Sequence, residues 1–354
     1  MDSVWRRSLR FPARLCLWGI GSCVGVLAVQ AQPLSEGSPA GYLYRPLGAR
    51  AVGLAGAYSA VANEPLGIFA NPAVMAWLPP VPSFGLSLSL LGLGRLHGGF
   101  AYAQALGTTG FGLGTGIQSF SAGSLTARNV WGEVIGTYTP QNVALLLAGS
   151  YRWEFLSIGL AGKYLWSGLS GAGISGAGGA ADIGALFHVA DRFSVGLTLA
   201  NLGGFLSWEG RREALPVTAT VGVATELWFS AEVRRQRHPV TGEEQLSWLP
   251  PSRYLLLSAE CRYTAGALRP SVLIGLELAP LTGIALRGGV TAFGDDRGRA
   301  RWFSPQRAGG GVSIQLPETI ALPFRLQLDY AVTYEYSSPS QVLQSLGLTA
   351  QLLP

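Results

Sequence analysis

The stretch FRLQLDYAVTYEY, residues 324–336, decides how the rest of the chain is read. Phe324, Leu326, Leu328, Tyr330, Val332, Tyr334 and Tyr336 fall on one side of an extended backbone, and Arg325, Gln327, Asp329, Thr333 and Glu335 on the other. Successive strand side chains point to opposite faces, and roughly 9–11 residues of tilted strand cross a bilayer, so this segment is long enough to span one with lipid outside and water inside. Tyr330, Tyr334 and Tyr336 add the amphipathic rings favoured where lipid meets water. A strand of a soluble sandwich alternates in the same way, so the remaining sequence must separate the two.

Composition favours the membrane. Only 13% of the 354 residues are charged and 48% are hydrophobic, with 49 Gly and 21 Pro. Ordinary soluble domains carry roughly 25% charged residues. Past the N-terminus there is no uninterrupted apolar run of about 18 residues, as a spanning helix needs. Residues 143–148, for example, soon meet Ser150, Arg152 and Glu154. Hydrophobicity without helical spans leaves a closed barrel, because an open sheet edge cannot sit in lipid.

The first 31 residues read as a secretory signal peptide. Arg6, Arg7, Arg10 and Arg14 precede an apolar stretch over residues 15–29, and Ala31 supplies a small residue before the expected cut at Gln32. Ile20-Gly21-Ser22-Cys23 also resembles a lipobox, which leaves lipidation at Cys23 open, although the apolar residues after it are still signal core. Cleavage takes 25 basic and 20 acidic residues to 21 and 19, so the net charge falls from +5 to +2. No basic stripe with interleaved aromatics is left to bind nucleic acid. Cys261 becomes the only cysteine, which excludes an internal disulfide.

From Ser83 onward about fifteen β-rich segments recur, among them residues 128–139 and 143–152, separated by Gly, Pro, Asn and Asp. Single-chain barrels have even strand numbers, so the expectation is an all-β transmembrane antiparallel barrel of about fourteen strands. Several segments are two-faced. Ile158, Leu160 and Tyr164 oppose Lys163; Leu255, Leu257 and Tyr263 oppose Glu260 and Arg262; Ile274 and Leu276 oppose Glu277; Leu286 and Val290 oppose Arg287. Together with Arg325, Asp329 and Glu335, these charges are predicted to face the lumen, since Arg or Lys facing lipid at the midplane costs roughly 2–4 kcal/mol. Structural ion pairing is the expected role for each. Residues 167–180, nearly all Gly, Ala and Ser, read as a flexible connection. Residues 231–251, with Arg234, Arg235 and Arg237, and residues 294–305, with Asp295, Asp296 and Arg297, read as solvated loops.

Ahead of the strands, residues 48–65 (GARAVGLAGAYSAVANEP) are mostly small, and residues 69–76 (FANPAVMA) contain the turn signal Asn71-Pro72 followed by Ala73. Small residues permit close backbone approach, as in a segment folded inside a barrel mouth; locally, a short helix covering a sheet end fits equally. This run resembles the N-terminal region of the FadL-like and PorV/PorQ outer-membrane proteins. Residues 195–203 (VGLTLANLG) with Leu215-Pro216 are similar to that group's mid-barrel signature, and residues 326–331 (LQLDYA) with Leu346-Gly347-Leu348 to its closing strands. The resemblance covers nearly all of the chain after the signal. It implies a barrel over residues 81–354 in the outer membrane, with residues 32–80 as a plug marked by Asn71, Pro72 and Ala73. Asn63-Glu64 stands where a pair of Asp is common, Val74 where Gly often occurs, and the ending Leu353-Pro354 is not aromatic.

Little in the residues suggests catalysis. His97, His188 and His238 are the only histidines, and His188 near Asp191 is the sole candidate for a hydroxyl-activating pair. Metal-ligand spacings are absent, residues 171–179 lack the Lys-Ser/Thr of a phosphate loop, and Asp295-Asp296 lacks EF-hand spacing. The reading is a non-enzymatic barrel without cofactor, bounded by outer-membrane lipid. The PorV/PorQ side of the resemblance implies support of type IX secretion with secretion-system proteins as partners, and the size and closing-strand motifs lean that way. The FadL side implies uptake of hydrophobic small molecules. A lipid-modifying enzyme is the remaining alternative.

Overall fold

The computed structural model describes residues 40–352 except 62, 191, 230–231, 238–243, 250–252, 268, 293–304, 317–322 and 337–340. The expected signal peptide over residues 1–31, Cys23, Asp191, His238, the charges of residues 294–301 and the Leu353-Pro354 ending lie outside the described residues. Among the described residues, eighteen strands follow a short-helical N-terminal segment. They are β1 (Ser83–Leu90), β2 (Leu96–Ala105), β3 (Phe111–Ser121), β4 (Leu125–Arg128), β5 (Val134–Trp153), β6 (Leu156–Ser170), β7 (Ile174–Ala190), β8 (Phe193–Trp208) and β9 (Arg211–Ala214). The chain continues through β10 (Thr218–Trp228), β11 (Glu232–Arg237), β12 (Glu244–Leu249), β13 (Tyr254–Thr264), β14 (Ser271–Leu281), β15 (Ile284–Ala292), β16 (Pro305–Gln315), β17 (Phe324–Glu335) and β18 (Gln341–Leu352).

Sixteen strands form one antiparallel sheet, in which β4 and β9 pair on one side only, so fourteen make the closed wall. Closure comes from the pairing of β18 with β1 and of β8 with β10. Every strand edge of the wall is thereby satisfied, which is the condition for backbone to sit in hydrocarbon. Exposure alternates along the strands: in β1, Leu86, Leu88 and Leu90 are exposed while Ser83, Ser87 and Ser89 are buried. Leu147, Leu160, Tyr164, Val221, Ile274, Leu276 and Leu328 continue an apolar exterior belt. Among the described residues no helix is long and apolar enough to cross a membrane.

Three expectations need correction. Residues 167–180 are the ends of β6 and β7, with Leu169 opposite Ile174 around a tight turn, and not a flexible connection. Glycine weakens a strand, yet here it makes room: a methyl group on Gly176 would lie 2.7 Å from the Trp208 ring. Within residues 231–251, β11 and β12 pair with each other in an antiparallel two-stranded sheet, so this stretch is not simply a loop. Residues 128–139 add no wall strand of their own. The start of β5 runs past the ends of β3 and β6 and pairs there with β4. Removing that segment from the expected fifteen leaves fourteen.

Candidate functional site

The N-terminal segment fills the lumen. It comprises the 3-10 turns Gly41–Tyr44, Pro65–Phe69 and Pro72–Trp77 and the single-turn helix α1 (Ala49–Gly53), with Leu54, Ile68, Ala73, Val74 and Met75 fully buried. Inward-facing glycines of the wall make this possible. On β3, Gly112, Gly114 and Gly116 form a strip on the inner face, and a methyl group on any of them would lie 2.6 Å from, in turn, the Met75–Ala76 backbone, Met75 Sδ and the Phe69 ring. Across the barrel, Gly289 would meet the Leu54–Ala55 backbone.

Asn71 ties this segment together. Its Oδ1 accepts the Ala73 N–H at 3.0 Å, capping the turn that begins at Pro72. Its Nδ2 donates to Ser59 O at 2.9 Å and to Ala185 O of β7 at 3.1 Å. Gly184 leaves the space that the carboxamide occupies. Ala73 is held from its carbonyl side by Ser157, which donates at 2.9 Å and itself receives the Trp77 indole N–H at 2.8 Å.

Charged wall residues meet the segment from the opposite side. Arg50 of α1 donates from Nε and Nη2 to the two oxygens of Glu277, both at 2.7 Å, in a bidentate pair that is almost fully buried. Glu277 also receives Arg287 and, at 2.5 Å, the Tyr254 hydroxyl; Arg287 reaches Asp329 at 2.6 Å. Arg50 Nη1 pairs with Asn63 Oδ1. One strand along, Glu260 accepts the backbone N–H groups of Tyr58 and Ser59 at 3.1 and 2.9 Å, and Arg262 bridges Glu260 to Gly56 O. Lys163 pairs with Asp182 at 2.7 Å beside a distortion of the wall. There β8 carries two residues more than β7 between the pairs Gly179–Phe205 and Ile183–Leu199, and Asn201 takes the left-handed conformation with its N–H on Asp182. Glu335 joins Arg45 of the segment at 2.9 Å to Arg307 of β16 at 2.8 Å. Arg325 sits half-buried near the start of β17.

Arg50, Glu64, Tyr254 and Asn201 had no assigned role from the sequence. The signal available for Arg50 and Glu64 was a charge inside a small-residue run, where a solvated residue is out of place. Glu64 is 4% exposed, and burial raises its carboxyl pKa above the usual carboxylate range while Arg50 opposes that rise. The Tyr58 hydroxyl beside it is likewise held up, first by burial.

His188 does not assemble a hydrolytic pair among the described residues. Its ring packs in a tilted arrangement against Trp77 at 3.8 Å between centroids, Arg152 also lies over the Trp77 ring at 4.7 Å, and Ser194, its cross-strand neighbour, donates its hydroxyl to Ala60 O. No group of three His, Cys, Asp or Glu able to hold a metal occurs among the described residues. Small cavities remain beside the segment among the described residues. One of about 80 Å³ is lined by Leu47, Leu66, Phe69, Lys163, Asn201 and Arg262; another of about 100 Å³ by Val61, His188, Arg192, Phe193 and Glu226.

The fold has counterparts among solved structures. The Pseudomonas putida toluene transporter TodX superposes with a TM-score of 0.58 at 11% identity, over 87% of this chain and 98% of that one. The fold is shared with hydrocarbon transporters. The Ralstonia pickettii toluene transporter TbuX gives a TM-score of 0.56 at 13% identity, over 87% and 98% of the two chains. A Pseudomonas aeruginosa FadL homologue gives 0.53 at 10% identity, over 86% and 98%. These likenesses support the FadL-like side of the sequence resemblance as a statement of fold. No family model matches the sequence, and no curated protein does.

Proposed function

We propose that this chain is a non-enzymatic outer-membrane barrel that admits hydrophobic small molecules, with the N-terminal segment up to about residue 80 as a plug. The observation that carries this reading is a wall with an apolar exterior closed around a lumen filled by the chain's own buried segment. The solved structures with this fold that are described as toluene transporters support the same reading. Export by a signal peptide over residues 1–31 is part of the proposal, as is the assignment of residues 81–354 to the barrel.

The plug must move for a molecule to pass. An apolar cavity that holds benzene measures about 150 Å³, and neither space beside the plug reaches that size. In this reading Asn71, Pro72 and Ala73 pin one side of the plug to β6 and β7. The lumen charges Glu260, Arg262, Glu277, Arg287, Asp329 and Glu335 hold the other through polar contacts, beside an apolar cluster of Leu54, Tyr58 and Val61 with Leu256 of the wall. Lys163 steadies the wall distortion, and Arg325 lies outside the plug contacts described. The secretion role implied by the PorV/PorQ resemblance has no observation of its own to support it and is not carried further.

The test is uptake of labelled toluene by vesicles with a lipopolysaccharide outer leaflet, with and without the purified barrel. Faster entry with the barrel, and no gain for a polar solute of similar size, is the expected result. Equal entry of toluene into both kinds of vesicle refutes the reading.

A further inference from the structure

The charge count around α1 does not balance if every carboxyl is ionised. Arg50 and Arg287 supply two positive charges, and Glu277 and Asp329 answer them with two negative ones through direct contacts. Glu64 is a third carboxyl in the same buried pocket. Arg50 and Tyr58 act on it from the plug, and Asp329 and Arg287 from β17 and β15. Among the described residues its Oε1 and the Tyr58 hydroxyl beside it have no hydrogen-bond partner other than each other. Arg50 directs three of its five N–H groups elsewhere, those of Nε and Nη2 to Glu277 and one of Nη1 to Asn63. A buried, ionised carboxylate without a matched cation is strongly disfavoured, so the arrangement described here fits a protonated Glu64.

We propose that Glu64 is a proton-operated release for the plug. Protonated, it leaves Arg50 committed to Glu277, and α1 stays bound to β14. Ionised, it sets a further negative charge near Asp329 and competes with Glu277 for Arg50, which loosens the contact that spans plug and wall. The sign follows from linkage. A carboxyl that the closed arrangement keeps protonated contributes its full stabilisation below the ordinary carboxylate range and loses it as pH rises through the raised titration point. Opening therefore increases with pH. This inference rests on the plug reading above in needing the segment to move, but movement can be measured without any transported molecule.

The experiment is ion conductance of the purified barrel in planar bilayers from pH 5 to pH 10, comparing wild type with Glu64→Gln and Glu64→Asp. Heat-modified gel migration checks that each is folded. Wild type is expected to open more with rising pH, by up to about tenfold per pH unit while one proton is released. Glu64→Gln stays closed across the range, and Glu64→Asp keeps the pH dependence. A wild-type conductance that does not change with pH, or a pH dependence that survives in Glu64→Gln, overturns the proposal. A barrel that conducts in this pH-dependent way yet fails to admit toluene refutes the uptake reading and leaves the proton release standing.

Discussion

Replacing Arg50 by Ala tests whether the lumen charges hold the plug in place. The change removes two hydrogen bonds of 2.7 Å to Glu277 and the contact to Asn63. Removing one partner of a buried ion pair costs about 3–5 kcal/mol, mostly because the other charge is left uncompensated. Glu277 keeps Arg287 and the Tyr254 hydroxyl, which places the cost near the lower bound, about 3 kcal/mol. At about 1.4 kcal/mol per factor of ten, the equilibrium between seated and displaced plug shifts by roughly 150-fold. Hydrogen exchange of the purified barrel, read by mass spectrometry, measures that shift directly, because local opening sets the exchange rate of protected amides. Peptides covering residues 45–70 should exchange on the order of 100-fold faster in Arg50→Ala, while wall peptides from β5 and β6 stay unchanged. Arg50→Lys, which keeps the charge but not the planar fork, should fall between the two. A change of less than about threefold in the plug peptides would refute the reasoning, and so would equal acceleration in the wall, which reports global unfolding instead.

Other outcomes follow from single contacts. Asn71→Asp turns two donated hydrogen bonds into carboxylate–carbonyl repulsion and should destabilise the plug by about 2–4 kcal/mol, read as faster exchange over residues 59–74. Gly112→Val forces a side chain against the Met75–Ala76 backbone, so the barrel should form with its plug displaced and show raised basal conductance; unchanged conductance argues against close packing there. Leu276→Arg puts a cation on the exterior belt and should cost about 2–4 kcal/mol in a chemical unfolding titration in lipid, whereas a value near zero would move that position out of the hydrocarbon. Cys261, exposed on the outer face, should react in lipid with an apolar maleimide and resist a charged one.

The wall was legible in the sequence because its signal is local. Period-two alternation is a property of neighbouring residues, so the placement of Leu328 and Tyr330 opposite Asp329 needs no knowledge of what lies across the sheet. Absence of a helical span and the even-number rule then led to fourteen strands, which the structure has. The same local view failed at residues 167–180, where glycine suggested flexibility. Only the cross-strand register reveals that Gly176 accommodates the Trp208 ring.

Contacts between the N-terminal segment and the wall belong to tertiary structure alone. Arg50 and Glu277 lie 227 residues apart, and Tyr58 and Glu260 lie 202 apart, so no spacing rule joins them. The inward glycines of β3 read as weak strand positions until the segment that fills their space is known. Sequence by itself determined a two-faced wall with its charges turned away from lipid, since the cost of a charge in hydrocarbon acts on each residue separately. Which charge meets which, and which carboxyl is left without a cation, was decided by the fold, because pairing energy depends on distances that only chain closure sets.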